Sequence, residues 1–230
     1  MASIERESRG HGGDAATPAR IRDAAVDRFG RNGFGVGLRA IAADAGVTAG
    51  LVVHHFGSKD GLRRACDEHV LSVVRAEKTR TLTDRSAVTL MAQLADVEQF
   101  APVVLYLLRS LQAGGELAGA LIDQMTADAH AYLGAGVEAG VVRPSRDPVA
   151  RSRYLTYQAV GGMLLWFSLH APVADAEAFR TQFRQYVDQV TAPALELFAQ
   201  GLLADRSMLD DYLLYVPDPP PEVAAANAAR

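Results

Sequence analysis

The sequence predicts an all-α protein: an N-terminal three-helix unit followed by a helical body of about six helices. Three observations carry this. Apolar residues recur at helical spacing along most of the chain, with glycine or proline breaks between the stripes. No segment shows the apolar–polar alternation, bounded by turns, of a half-buried strand. Residues 38–59 read as two short helices joined by a tight, glycine-containing turn.

Composition narrows the setting. A chain of 230 residues, 49% hydrophobic and 22% charged, can bury a substantial core in one large or two modest domains. Cys66 is the single cysteine, so no internal disulfide forms. No apolar run follows Met1, and the longest apolar stretch, 159–169, is too short and glycine-rich to span a bilayer. A cytoplasmic protein with no membrane partner is expected. The net charge of −4 lies in the later part of the chain: residues 1–60 balance at +1 and residues 61–230 at −5. Charge therefore gives no argument for a nucleic-acid partner. That argument rests on local pattern.

Residues 1–17 mix Gly, Ser, Arg and Glu without periodicity and are expected to form a disordered arm. The sharper alternative is a basic arm whose Arg6 and Arg9 enter a minor groove. Thr17-Pro18 has the form of an N-cap and a proline at the first helical position. Ile21, Ala25 and Phe29 form the stripe of a first helix closed by Gly33, with Phe34 plugging the core beneath. Gly37 tolerates the next cap position but supplies no hydroxyl. Leu38, Ile41, Ala42 and Ala45 then give one apolar stripe, ended by Gly46. Thr48 is placed to cap a second short helix, worth about 1 kcal/mol. In that helix Val52 and Phe56 look inward, leaving Ala49, Gly50, Leu51, Val53, His54 and His55 outward. This is the layout of a DNA-reading helix-turn-helix.

After Ser58 and Lys59 a long helix begins, burying Leu62, Ala65, Cys66, His69, Val70 and Val73. Cys66 reads as a small core residue. Further helices are expected near 86–99, 102–113, 115–139, 147–170 and 175–204, with breaks at Gly140, Arg143-Pro144 and Ala171-Pro172. Residues 157–169 are apolar nearly all round, and Gly161-Gly162 permits close backbone approach. Such a helix must be covered on more than one side. Residues 205–216 carry enough apolar side chains to dock as a short helix, and 217–230 begin Pro-Asp-Pro-Pro-Pro and read as a disordered tail.

The runs Arg39-Ala-Ile-Ala, Ala45-Gly-Val-Thr-Ala-Gly and His54-His-Phe-Gly-Ser-Lys59 resemble the DNA-binding domain of TetR-family transcriptional regulators over about residues 19–62. The resemblance implies a DNA-binding domain at 18–59 and a ligand-binding and dimerisation domain at 60–216. It implies a homodimer through residues about 150–204, a near-palindromic double-stranded DNA operator, and release by a small-molecule effector. Position in the motif makes His54 a groove contact and His55 and Lys59 phosphate contacts. Two departures stand out. The loop before Leu38 lacks the family's usual hydroxyl pair, and Val53 replaces its usual tyrosine. The reading surface of Thr48, Ala49, Gly50, Leu51, Val53 and His54 is correspondingly apolar, suited to thymine methyls. Arg39 is the candidate for guanine discrimination, with a plain phosphate contact as its alternative.

The resemblance also implies an effector pocket in the body, largely apolar, for which Met91, Leu94, Tyr106, Arg109, Met125, Met163, Trp166 and Phe167 are the candidates. Each also fits as ordinary core, and Arg109 either meets an acidic ligand or pairs with a core carboxylate. No cofactor is expected. Adjacent His54 and His55 diverge by about 100° on a helix and cannot share one metal, and no HExxH, CxxC or GxSxG spacing occurs. Asp128 and His130 are two apart on a helix and face different ways. The competing readings are a helical ligand-binding protein whose head has lost its operator, and an α-helical enzyme with a buried pocket.

Overall fold

The computed structural model describes residues 11–84, 86–170 and 175–216, with side chains from Ala16 onward. The arm arginines Arg6 and Arg9, the break at Ala171-Pro172 and the tail 217–230 lie outside the described residues. The described chain is helical throughout: α1 His11–Asn32, α2 Leu38–Asp44, α3 Ala49–Phe56, α4 Lys59–Thr83, α5 Ala87–Ala95, a 3₁₀ turn Val97–Phe100, α6 Ala101–Gln112, α7 Gly115–Glu138, α8 Pro148–Leu169, α9 Ala176–Gln200 and α10 Ser207–Leu213.

Most boundaries follow from local chemistry. Gly33, Gly46 and Gly201 close α1, α2 and α9 with φ of 74°, 63° and 82°, a region glycine enters without a Cβ penalty. Asp147 accepts the Ala150 amide at 2.9 Å in front of Pro148, and Asp175 accepts the Ala178 amide at 2.8 Å.

Four boundaries or contacts differ from expectation. The first helix starts at His11, so Pro18 lies inside it rather than at its first position, and Thr17 is not its cap. Proline keeps helical φ and forfeits only one backbone bond there, so the helix continues back through Ala16 and Ala15. The helix expected over 86–99 stops at Ala95 and becomes the 3₁₀ turn. Arg184 of α9 is responsible: its guanidinium bonds the carbonyls of Leu94 and Ala95 and the Glu98 carboxylate, satisfying a helix end that would otherwise be orphaned. The last long helix ends at Gln200 rather than 204, because Gly201 takes a positive φ. Finally, α10 forms but does not dock: Met208, Leu209 and Tyr212 remain exposed.

One core runs through the N-terminal three helices and into the body. Ile21, Ala25, Phe29, Ile41, Val52, Leu62, Cys66 and Val70 are buried together with Tyr106 and Leu107 of α6. The α1–α6 contact is close because Gly30 faces α6: a Cβ there would stand 3.2 Å from the Tyr106 backbone nitrogen and 3.3 Å from Leu105 Cγ. A second cluster joins Ala101 and Leu108 of α6 to Phe179 and Phe183 of α9, with Met163, Leu164 and Phe167 of α8 against it. Burial pushes the Cys66 thiol up to about 12, which makes it an inert core residue as its spacing predicted.

Candidate nucleic-acid interface

The helix pair is held from three sides. Beneath it, Ile41 and Val52 are fully buried against Phe29 and Leu62. At the turn, the Val47 amide donates to the Ala42 carbonyl at 2.9 Å and the Gly46 amide to Ala43 at 3.1 Å. From α1, Arg20 Nε donates to the Ala45 carbonyl at 3.1 Å, and Arg28 forms a two-pronged pair with Asp44 at 2.5 Å per bond. That pair holds the Asp44 carboxyl below its usual range. Thr48 Oγ accepts the Leu51 amide at 3.3 Å and so caps α3. Gly37 caps α2 without any side-chain bond. Ser58 Oγ accepts the Gly61 amide at 3.0 Å and starts α4 directly behind α3.

This scaffold presents Arg39, Thr48, Gly50, Val53 and His54 on the exposed surface, with Leu51 and Lys59 half-buried beside them. Val53 is 45% exposed although it is apolar. Two members of the expected reading face are turned partly inward. Ala49 packs against the core cluster. His55 is half-buried, with Nε2 enclosed and unpartnered; its ring makes an edge contact with His54, 5.2 Å between centroids. Nε2 is therefore not the atom that can meet a phosphate from this conformation. Among the described residues no group of three or more His, Cys, Asp or Glu side chains is placed to hold a metal ion.

The eight candidate effector residues do not form one pocket. Tyr106 is fully buried, and its hydroxyl donates to Asp67 Oδ1 at 2.7 Å. Met125 packs on the same cluster as Tyr106. Met163 and Phe167 belong to the second cluster, where Phe167 stacks on Phe179 at 5.2 Å. Trp166 Nε1 donates to Gln189 at 2.6 Å, and its ring stacks on His170 at 3.7 Å. Met91 is 58% exposed on α5, with Leu94 half-buried at its end. Arg109 is exposed, and its Nε donates to the Gly30 carbonyl at 3.1 Å, tying α6 to the end of α1.

A hollow lies elsewhere, between α4, α6 and α7. It measures about 170 Å³ and is lined by Arg63, Asp67, Leu71, Ser110, Leu117, Ala120, Leu121 and Gln124. None of these was marked by the sequence. Available signals were the i, i+4 spacing of Arg63 and Asp67, and a serine at position 110 inside the apolar run of α6.

Known proteins cover both parts of the chain. Residues 21–66 match the family model described as bacterial regulatory proteins, tetR family, and residues 98–204 match that of the tetracyclin repressor-like C-terminal domain. Over 200 residues the chain is 49% identical to the HTH-type transcriptional regulatory protein RaaS of Mycobacterium tuberculosis, a match covering 87% of this chain and 93% of that protein. A Rhodococcus sp. structure described as a TetR-family transcriptional regulator superposes with a TM-score of 0.55 at 18% identity, covering 76% of this chain and 98% of that one. The transcriptional regulator FadR from Bacillus subtilis, solved with stearoyl-CoA, superposes with a TM-score of 0.51 at 17% identity, covering 80% and 99%. These two structures share the fold; the near-full-length relative settles the family. The chain belongs to the TetR family of bacterial regulators, ligand-responsive DNA-binding transcription factors rather than enzymes.

Proposed function

We propose that the protein is a repressor that binds a near-palindromic operator as a homodimer and leaves it when a small molecule occupies the body. The DNA-binding head ends near residue 59 and the sensing and dimerisation body follows it. The reading surface is Arg39 with Thr48, Gly50, Leu51, Val53 and His54, flanked by Lys59 at the start of α4. Ala49 and His55 support it from half-buried positions. Two heads would set their α3 helices into successive major grooves about one helical turn apart.

The observation that carries the reading is α3 itself: its inner side is locked by Val52 at 0% exposure, while Val53 and His54 are left facing solvent beside Arg39. The dimer reading is supported by α8, where Tyr154, Tyr157, Leu165 and Leu169 are exposed in a stripe of one face. Gly161, in the same stripe, has no atom of the chain near its absent Cβ. For an effector to act it must bind the DNA-competent and DNA-released arrangements with different affinity.

The test is fluorescence anisotropy on DNA from upstream of the protein's own gene, set against random DNA over a range of salt. Tight, selective binding that saturates at an even number of protomers is expected. Arg39→Ala should weaken operator binding about 5- to 150-fold, the 1–3 kcal/mol of a bidentate guanine contact, with a smaller loss on random DNA. Equal losses on both would leave Arg39 a phosphate contact. Weak, equal binding of the wild-type chain to both DNAs would instead favour a silent head.

A further inference from the structure

We propose that the hollow between α4, α6 and α7 is the effector site, and that it takes a small carboxylate whose oxygens bond the Arg63 guanidinium and the Ser110 hydroxyl. This rests on the reading of the chain as a ligand-responsive regulator, and it names the site and the chemistry of the ligand.

Two residues that line this hollow, Ser110 and Arg63, each carry an enclosed polar atom without a partner. Ser110 is 4% exposed and its Oγ has no partner. That is out of character for this protein. Thr126, Ser152, Thr156 and Thr191 each turn their hydroxyl back to the carbonyl four residues earlier, and Ser110 does not. Arg63 Nε is likewise enclosed without a partner. A buried polar group left unbonded costs about 1–3 kcal/mol, and native proteins keep few of them. Here the two groups belong to residues of one cavity wall, and both can donate. What they lack is an acceptor, and the charge on Arg63 favours an anionic one.

The other polar lining groups are already engaged. Asp67 Oδ1 accepts the Tyr106 hydroxyl, and the Gln124 amide donates to Asp128 at 3.2 Å. Burial pushes the Asp67 carboxyl up from its ordinary value, while the Tyr106 bond and the Arg63 charge pull it down. The rest of the wall is apolar, from Leu71, Leu117 and Leu121, and suits a hydrocarbon body. A volume of about 170 Å³ equals the liquid share of about five or six waters, well below that of a drug-sized pocket. The ligand is therefore a short-chain or single-ring acid. Leu117, 64% exposed, marks the open side.

Position gives the site a means of reaching the DNA-binding head. The Arg63 guanidinium lies 3.7 Å from the centre of the Phe34 ring, in the loop between α1 and α2. Phe34 in turn meets Tyr106 edge-on at 5.6 Å and Phe29 at 5.4 Å. A carboxylate bound to Arg63 competes with that cation–π contact, and so acts on the packing between head and body.

The experiment is calorimetric titration of the DNA-free, full-length protein with hexanoate and benzoate, against hexanamide and benzamide as uncharged matches. At least one acid should bind, about tenfold or more tighter than its amide. Ser110→Ala should weaken the acid about tenfold and the amide less, and Leu121→Trp, which fills the hollow, should abolish binding. Binding of neither acid, equal binding of acid and amide, or acid binding that survives both substitutions would overturn the proposal. Folding of each variant is checked by its circular dichroism and melting temperature. Because the titration contains no DNA, it can fail while operator binding stands, and it can succeed while operator binding fails.

Discussion

The two ends of this chain use apolar residues in opposite ways. In the N-terminal helices, Ile21, Ala25, Phe29, Ile41 and Val52 are buried to the last few per cent by their own chain. In α8, α9 and α10, Tyr154, Leu165, Leu169, Phe198, Met208 and Tyr212 stand more than half exposed. The first region's core is closed by α4 and α6 of the same chain, with a cap on α3, an arginine on the carbonyl of Ala45 and an ion pair at Asp44. The second has the composition of a core and no cover among the described residues. Contiguous exposed apolar surface of this kind marks an interaction site. The head is thus covered by its own chain, whereas the C-terminal helices keep apolar surface that the proposed dimer would cover.

Breaking the uncovered side should have the larger effect. Replacing both Leu165 and Leu169 by Glu is expected to convert the dimer to monomer by light scattering. Operator affinity should fall about a hundredfold or more, the loss of one or two interface hot spots. A double variant that stays dimeric would move the interface off this stripe. An intermediate effect is expected where the head meets the body. Gly30→Ala presses a methyl against the Tyr106 backbone, which cannot step aside, and should cost about 1–3 kcal/mol in urea unfolding with the dimer intact. The smallest effect sharpens the description of the head: Thr48→Ala removes the bond to the Leu51 amide and should cost about 1 kcal/mol. Thr48→Ser, which keeps the bond, should lie close to wild type.

The helix-turn-helix was legible because its signals are local. Gly46, Thr48 and Ser58 each act within four residues, through a positive φ or a single side-chain bond, and the stripe of Ile21, Ala25 and Phe29 names its own buried face. The same locality explains where the outward assignment of α3 was too coarse. Helical spacing ranks faces, but the depth of Ala49 and His55 depends on what packs beside them. The hollow between α4, α6 and α7 was not legible. Residue type singles out Met, Trp and Phe in the body, yet Met163, Trp166 and Phe167 pack on α9 or remain beside it, and the unmet donors are an arginine and a serine.

The all-α class, most helix ends, the buried stripes and the family can be read along the chain, because each is written in caps, breaks and spacing over a few residues. Tertiary structure alone decided which distant residues meet. Arg184 ends α5 from 90 residues away, Arg109 reaches Gly30 across 79, and Ser110 comes to line the same hollow as Arg63. Such contacts depend on the paths of whole helices through space, and no period or motif along the chain encodes the partner.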